Sequence, residues 1–166
     1  EGDEDSPRDD ESIQLWKEAF AKYGIKALYS DNPAEVQSNS IKKIKLGEIE
    51  TEIYCKNEKN EQIKIFPFSK KKNWWQRGKV AGELGGPDSE MFFDLGKHAE
   101  TYFEVDMNVN SDNDRFIEIG NNVFMQFYLN EVNGVLKWEE LPQKNVDFGG
   151  GMERVMMCQL NQINGS

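Results

Sequence analysis

Histidine and cysteine are scarce in this chain of 166 residues, which has one histidine and two cysteines. With His98 alone, any metal cluster or proton relay built from histidines would be thin. Cys55 and Cys158 lie far apart without C-x-x-C spacing, which argues against a zinc site ligated by cysteines and suggests a reducing compartment. We therefore expect no protein-bound metal and a cytoplasmic location.

Basic charge and long apolar runs are also lacking. The chain has 20 lysines and arginines against 30 aspartates and glutamates, a net charge of −10. Such a chain is poorly suited to holding a nucleic acid backbone by itself, so basic surface for that partner would lie elsewhere in a longer protein. No apolar run approaches the roughly 20 residues that span a membrane, and no signal peptide is evident. The abrupt acidic start without Met suggests an excised fragment.

The segment SPRDDESIQLWKEAFAKYG predicts a helix. Ser6 can cap its start, Asp9 and Asp10 suit the positive end of the helix dipole, and Gly24 suits its end. Apolar residues recur on one stripe at helical spacing: Ile13, Trp16, Phe20 and Tyr23.

The remaining patterned segments are mostly strands. EIETEIYC and EQIKIFPF flank KNEKN and predict a hairpin. A loop rich in Trp and Gly, starting at NWWQRG, leads into a strand near residues 89–94. RFIEIGNNVFMQFYL predicts the strongest strand, and Asn133-Gly134 predicts a tight turn into VLKW. QKNVDF predicts a short strand and MERVMMCQL a helix. The fold class expected is therefore α+β, an antiparallel sheet flanked by helices.

Asn121 is the polar exception on one face of the long predicted strand. Alternation puts six residues on that face: Ile117, Ile119, Asn121, Val123, Met125 and Phe127. An unsatisfied buried amide costs about 1–3 kcal/mol, so Asn121 needs partners. It either bonds to a neighbouring loop, which the periodicity alone favours, or serves as the polar handle of a pocket.

Three consecutive glycines separate Asp147 from Glu153 and Arg154. They indicate either a turn with positive φ or a backbone that lies close against a ligand. Asp147 is either a turn or helix-cap residue or a carboxylate facing a cationic group. Arg154 offers a flat cation for a base or a phosphate, or forms a weak surface ion pair. The pattern matches neither G-x-G-x-x-G in a βαβ unit nor a Walker loop.

Two further clusters have ordinary interpretations. Trp74 and Trp75 are either core residues, the usual case for paired aromatics, or a wall of a small-molecule pocket. The lysines at 70–72 predict a solvated loop, with RNA phosphate contact as a weaker alternative.

Four motifs then carry a family resemblance: NWW, GGPDSEMFFD, RFIEIGNNVFMQF and LPQKNVDFGGGMERV. In this order and spacing they closely resemble the second half of the catalytic domain of the alanyl-tRNA synthetases, which are class II synthetases. The resemblance covers nearly all of residues 1–166, except 41–68, which looks like a hairpin insertion. It implies a partial class II catalytic fold, in which GGGMER is motif 3, a strand–turn–helix forming the floor of the ATP site.

The resemblance assigns four residues to alanine. Asp147 matches the family carboxylate that binds the α-ammonium, and Asn121 matches the residue on the carboxylate side of the amino acid. Val123 would limit the size of the pocket, and Trp75 would form its wall.

The same resemblance assigns three residues to ATP and the adenylate. Gly149 and Gly151 would allow close approach of the nucleotide, and Arg154 would stack on it or pair with it. The implied substrates are alanine, ATP with Mg²⁺, and tRNA(Ala) through the full-length protein. No single catalytic side chain is implied, because the work is positioning and charge stabilisation.

The chain also departs from the family pattern. Gly120 stands where Trp is usual, Asp88 stands where Cys is common, and Phe148 and Gly150 replace commoner residues. No counterpart of motif 1 or motif 2 is found, so the chain alone is expected not to form alanyl-adenylate at a useful rate. The alternative is a synthetase-like binding or interaction module without catalysis.

Overall fold

A computed structural model describes residues 8–29, 63–95 and 116–164 of the chain, with side chains described up to residue 162. The chain divides into two compact units. The first comprises Glu1–Lys70 and Asp94–Ile117, and the second comprises Lys71–Phe93 and Glu118–Ser166. Ser6, Cys55, His98 and most of the predicted hairpin insertion lie outside the described residues.

The first unit contains helix α1, Asp10–Ala21. Its cap is Asp9, whose Oδ1 accepts from the Ser12 backbone N–H at 2.8 Å, so the prediction that Ser6 caps this helix is wrong. Asp9 caps the helix because its carboxylate lies three residues before the Ser12 backbone N–H, which has no partner within the helix. The predicted end is confirmed: Gly24 has φ +71° and its N–H donates to Ala21.

The apolar stripe of α1 is shorter than predicted. Ile13 is buried, and the rings of Trp16 and Phe20 lie 6.3 Å apart. Tyr23 is 84% exposed because it lies beyond the helix end. Nearby, strand β1, Leu28–Tyr29, pairs in parallel with strand β2, Ile63–Ile65, which confirms a strand within EQIKIFPF. The predicted partner EIETEIYC lies outside the described residues.

The second unit is built on a four-stranded sheet in the order β3-β4-β5-β6. The strands are Trp74–Gln76, Leu84–Asp94, Phe116–Val132 and Val135–Gly150, and helix α2, Met152–Asn164, follows directly. The predicted antiparallel sheet with helices is confirmed. Among the described residues, no helix combines the length and apolarity needed to cross a membrane.

The predicted Trp- and Gly-rich loop is wrong in part, because it contains strand β3 and the start of β4. Trp75 pairs with Gly86 across these strands. Gly-Gly-Pro normally indicates a break in a strand. Here Gly86 is required for packing, since a Cβ at this position would lie 1.8 Å from the Phe124 carbonyl oxygen. Backbone from β5 therefore fills the space of a side chain.

The β5–β6 hairpin confirms the strongest sequence signals. Asn133 and Gly134 have φ of 54° and 76°, the two positive values that a two-residue turn of type I′ requires. The predicted VLKW and QKNVDF strands prove to be one strand, β6. Its register shifts between Met125↔Asn145 and Phe127↔Glu140, so residues 141–144 of β6 lie opposite the single residue Gln126 of β5. Pro142 lies in this irregularity, where a missing N–H is tolerated.

An aromatic cluster lies at the hairpin end of this sheet. The Trp74 ring is 5.7 Å from the Phe127 ring and 5.2 Å from the Trp138 ring. Buried apolar side chains on β5 extend the core: Val123, Met125 and Leu129. The core interpretation of the tryptophan pair therefore holds for Trp74.

Candidate functional site

The register of β5 and β6 brings three of the four predicted alanine residues onto one face. Asn121 lies opposite Gly149, and Val123 lies opposite Asp147. Directly opposed residues in an antiparallel pair project to the same side of the sheet, with Cβ atoms about 5 Å apart. An amide, a carboxylate and a glycine backbone therefore share a small patch of this face.

The patch is open above an apolar floor. Val123 is 6% exposed, whereas Asp147 is exposed. A Cβ built at Gly149 would meet no described atom within 4 Å, so the space over this backbone is clear. The helix-cap interpretation of Asp147 is wrong, because this residue lies within β6 and α2 begins five residues later.

The three glycines are not explained by a positive-φ turn. Positive φ among the described glycines is confined to Gly24, Gly82 and Gly134. The Phe148 ring lies over Gly150, since a Cβ there would be 3.0 Å from Cε1 of that ring. A Cβ at Gly120, the partner of Gly150, would lie 3.0 Å from the same ring and 2.7 Å from Cε of Met91. These glycines make room for an aromatic ring on the side of the sheet away from Asn121.

Gly151 has a different neighbour, the side chain of Arg154. A Cβ at Gly151 would lie 3.1 Å from both Cγ and Cδ of Arg154. The Nη1 atom of Arg154 donates to the Glu118 carbonyl at 2.9 Å and lies 3.5 Å from Oε2 of Glu118. Both side chains are substantially exposed, so this ion pair holds the arginine only weakly. A cation thus lies where α2 begins, next to the glycine run.

Asn121 bonds to a strand residue rather than to a loop. Its Nδ2 donates to Oδ2 of Asp88 on β4 at 2.9 Å. Asp88 Oδ1 and Asn121 Oδ1 are buried and have no hydrogen-bond partner in the described part of the chain. Burial raises the pKa of Asp88 above its ordinary value, against hydrogen bonds from Asn121 and Asn73 that lower it, and Glu118 adds to the rise. The only sequence signal for Asp88 was its departure from the family pattern.

Two other predicted features have a mixed outcome. Trp75 is half-buried and pairs with Gly86, and its place in an alanine pocket stays a prediction. Cys158 is a buried free thiol whose pKa is raised by that burial. Across residues 8–29, 63–95 and 116–164, no group of three or more His, Cys, Asp or Glu side chains could hold a metal ion.

Comparison with known proteins identifies the family of the chain. The family model described as tRNA synthetases class II (A) matches residues 14–165. The alanine–tRNA ligase of Petrotoga mobilis is 41% identical over 101 residues, which are 60% of this chain and 11% of that protein. The alanine–tRNA ligase of Onion yellows phytoplasma is 40% identical over 98 residues, and that of Campylobacter jejuni subsp. doylei is 42% identical over 95 residues. These two matches cover 59% and 57% of this chain, and 10% of each relative.

The chain therefore spans about a tenth of the length of the curated relatives it matches. The family match itself extends over most of the chain, including β3 to β6 and α2. This chain belongs to the class II (A) tRNA synthetase family.

Proposed function

We propose that this chain is the part of an alanine–tRNA ligase catalytic domain that binds alanine and the adenylate. In this proposal the chain acts when it is joined to the half that carries motifs 1 and 2. Alanine and ATP with Mg²⁺ are then converted to alanyl-adenylate, and tRNA(Ala) receives the alanyl group through the full-length protein. A cytoplasmic location fits the scarcity of cysteine.

The observation that carries this proposal is the register of β5 and β6. It pairs Val123 with Asp147 and Asn121 with Gly149, so a buried aliphatic floor lies beside a carboxylate, an amide and uncovered backbone. Alanine offers a cation, an anion and one methyl group. Asp147 would bind its ammonium group, Asn121 would contact its carboxylate side and Val123 would limit the space for the methyl group. Trp75 would complete the wall.

In this proposal the nucleotide lies where β6 ends and α2 begins. Clear space over Gly149 leaves room for the adenylate against the main chain. Arg154 lies at the start of α2 and would exchange its exposed contact with Glu118 for the nucleotide. Gly151 leaves room for the arginine stem, because a Cβ there would lie 3.1 Å from its Cγ and Cδ. The Mg²⁺ ions would arrive as part of the ATP complex.

The reaction asks mainly for alignment and charge neutralisation. A carboxylate oxygen of alanine forms a bond to the α-phosphorus of ATP, and the bond from that phosphorus to the oxygen of pyrophosphate breaks. Residues of this chain would fix the amino acid and the adenosine so that these atoms meet in line. Charge that develops on the phosphate needs cations, which the missing half would supply together with Mg²⁺.

The exposed apolar residues of α2 support an incomplete domain. Met152, Met156 and Leu160 recur every four residues on one side of the helix, and each is at least 56% exposed. Cys158 is the buried apolar side chain of α2 among its described residues. A helix in a complete domain buries its apolar stripe. We therefore infer that a segment of the missing half packs on this face of α2.

Calorimetry with a non-hydrolysable alanyl-adenylate mimic tests the proposal on this chain joined to the missing half. We expect Asp147→Asn to weaken binding by about 10- to 100-fold, because it removes a charge-assisted hydrogen bond to the ammonium group. Glu140→Gln is the matched control, since it removes one exposed carboxylate from the same strand and should bind normally. Equal affinities for wild type and Asp147→Asn would refute the alanine assignment.

Catalysis separates this proposal from a non-catalytic binding module. The joined protein should catalyse ATP–pyrophosphate exchange that depends on alanine, whereas this chain alone should not reach a useful rate. A joined protein that binds the mimic normally but performs no exchange would favour the binding module.

A further inference from the structure

We propose that Asp88 is a positioning residue, which holds the Asn121 amide through two hydrogen bonds as a neutral carboxylic acid. One of these bonds is the donation from Asn121 Nδ2 to Asp88 Oδ2 at 2.9 Å. The second would run from a proton on Asp88 Oδ1 to Asn121 Oδ1. The arrangement fixes which end of the amide points towards β4 and which atoms an amino acid meets. Only the link to alanine rests on the proposed function.

The two buried oxygens that lack partners among the described residues belong to the two groups that are already bonded to each other. Asp88 Oδ1 and Asn121 Oδ1 are both buried. An ionised carboxylate accepts hydrogen bonds but cannot donate one, and an amide oxygen also only accepts. In the ionised state both oxygens would therefore stay unsatisfied, which is costly for buried groups. One proton on Asp88 turns two unsatisfied acceptors into a donor and its acceptor.

The surroundings of Asp88 also disfavour a negative charge. From β5, the side chain of Asn121 faces it and the carboxylate of Glu118 repels an added charge. From the segment before β3, Asn73 contributes a side-chain hydrogen bond, and its carbonyl accepts from the Asp88 backbone N–H at 3.3 Å. None of these groups is a cation, and Arg154 is engaged with Glu118. A buried charge that finds no cation among these described groups is expensive, so the proton is retained.

Asp88→Asn is an isosteric mimic of the proposed acid. An amide at position 88 can accept from Asn121 Nδ2 and donate to Asn121 Oδ1, so it reproduces both hydrogen bonds without a proton that titrates. Asp88→Ala removes both. The exposed Glu131 on β5 supplies a control, since Glu131→Gln removes one negative charge away from the pair.

The first experiment needs no ligand. In carbon NMR spectra of the chain at about pH 6, the Asp88 carboxyl resonance is expected at the protonated position. An ionised Asp88 would overturn the neutral-acid pair.

Thermal unfolding gives an independent readout. At about pH 7, Asp88→Asn should unfold near the wild-type temperature, and Asp88→Ala roughly 3–10 °C lower. If Asp88→Asn falls as far as Asp88→Ala, the charged carboxylate is required and the proposal fails.

The second experiment tests positioning in the chain joined to the missing half. We expect Asp88→Ala to raise KM for alanine about tenfold with a smaller change in kcat, and Asp88→Asn to stay within about twofold of wild type. Equal KM for all three proteins would overturn the positioning role. A protonated Asp88 in a protein that fails to bind the adenylate mimic would instead refute the proposed function and leave the pair intact.

Discussion

The paired strands β5 and β6 have a turn end, next to Asn133-Gly134, and a glycine end, at Gly149 and Gly150. These two ends are built in opposite ways. At the turn end, the rings of Trp74, Phe127 and Trp138 pack together, and a tyrosine, an asparagine and a glutamate are paired by hydrogen bonds. At the glycine end, space is left clear, a carboxylate is exposed, and two buried oxygens lack partners among the described residues. The same two strands therefore contribute stability at one end and a candidate binding surface at the other.

The turn end owes its order to rings and to a satisfied polar network. Trp138 packs edge-on against Trp74. On the neighbouring positions, the Tyr128 hydroxyl donates to Glu139 Oε2 at 2.6 Å, and Asn130 Nδ2 donates to Glu139 Oε1 at 3.0 Å. Each polar group has a partner, as expected where a hairpin needs a single register.

The glycine end departs from the rules that make a sheet stable. It places three glycines together, exposes Phe148 and leaves Asp147 without an ion pair to any described residue. Local departures of this kind cluster at functional sites, where other parts of the fold supply the stability. The contrast supports the assignment of function to Asn121, Val123, Asp147 and Gly149.

The largest expected effect comes from testing which glycines serve packing. Gly86→Ala forces a Cβ into the Phe124 carbonyl, so we expect a loss of at least about 4 kcal/mol in the free energy of unfolding. Gly149→Ala has clear space and should change stability by less than about 0.5 kcal/mol. Urea unfolding of both variants measures the difference. Comparable losses would show that the glycine end is also packed.

An intermediate effect is expected from exchanging the aromatic ring between β5 and β6. The resemblance puts Trp at position 120 in most of the family, and here the Phe148 ring and Met91 occupy that space. Gly120→Trp alone should cost about 1–3 kcal/mol by overpacking. Adding Phe148→Thr should recover at least about 1 kcal/mol of that loss, a coupling that a double-mutant cycle measures. Strictly additive effects would mean that the two positions do not share one site for a ring.

The smallest effect is expected from the exposed polar network at the turn end. The hydrogen bond from Tyr128 lowers the pKa of Glu139, and the same bond raises the pKa of Tyr128. A lowered folded-state pKa contributes stability that is present above the unfolded pKa and lost as pH falls through the folded pKa. Tyr128→Phe should therefore lower the unfolding temperature slightly at neutral pH and less in acid. A difference that grows on acidification would contradict this network.

The parts of the fold that alternation and turn chemistry encode were predictable. The β5 strand, the Asn133-Gly134 turn and the end of α1 follow from local preferences of the backbone, and each is confirmed. Gly86 could not be interpreted in the same way. Its role depends on the Phe124 carbonyl of another strand, and a contact between distant residues leaves no local pattern.

The sequence predicted which residues form the candidate site, but it did not predict their hydrogen-bond partners. Alternation alone put Asn121 and Val123 on one face, and the resemblance added Asp147 from the next strand. The partner of Asn121 was missed because Asp88 lies 33 residues away, within a segment that looked like a loop. Likewise, β6 was divided at Pro142, because a bulge that absorbs a proline has no periodic signature.

The most direct test of the central claim is a map of amide shifts in the labelled chain, joined to the missing half, on addition of the alanyl-adenylate mimic. We predict large changes at Asn121, Val123, Asp147 and Gly149, and small changes at Tyr128 and Trp138. Changes concentrated at the turn end, or none at the glycine end under saturating binding, would contradict the account.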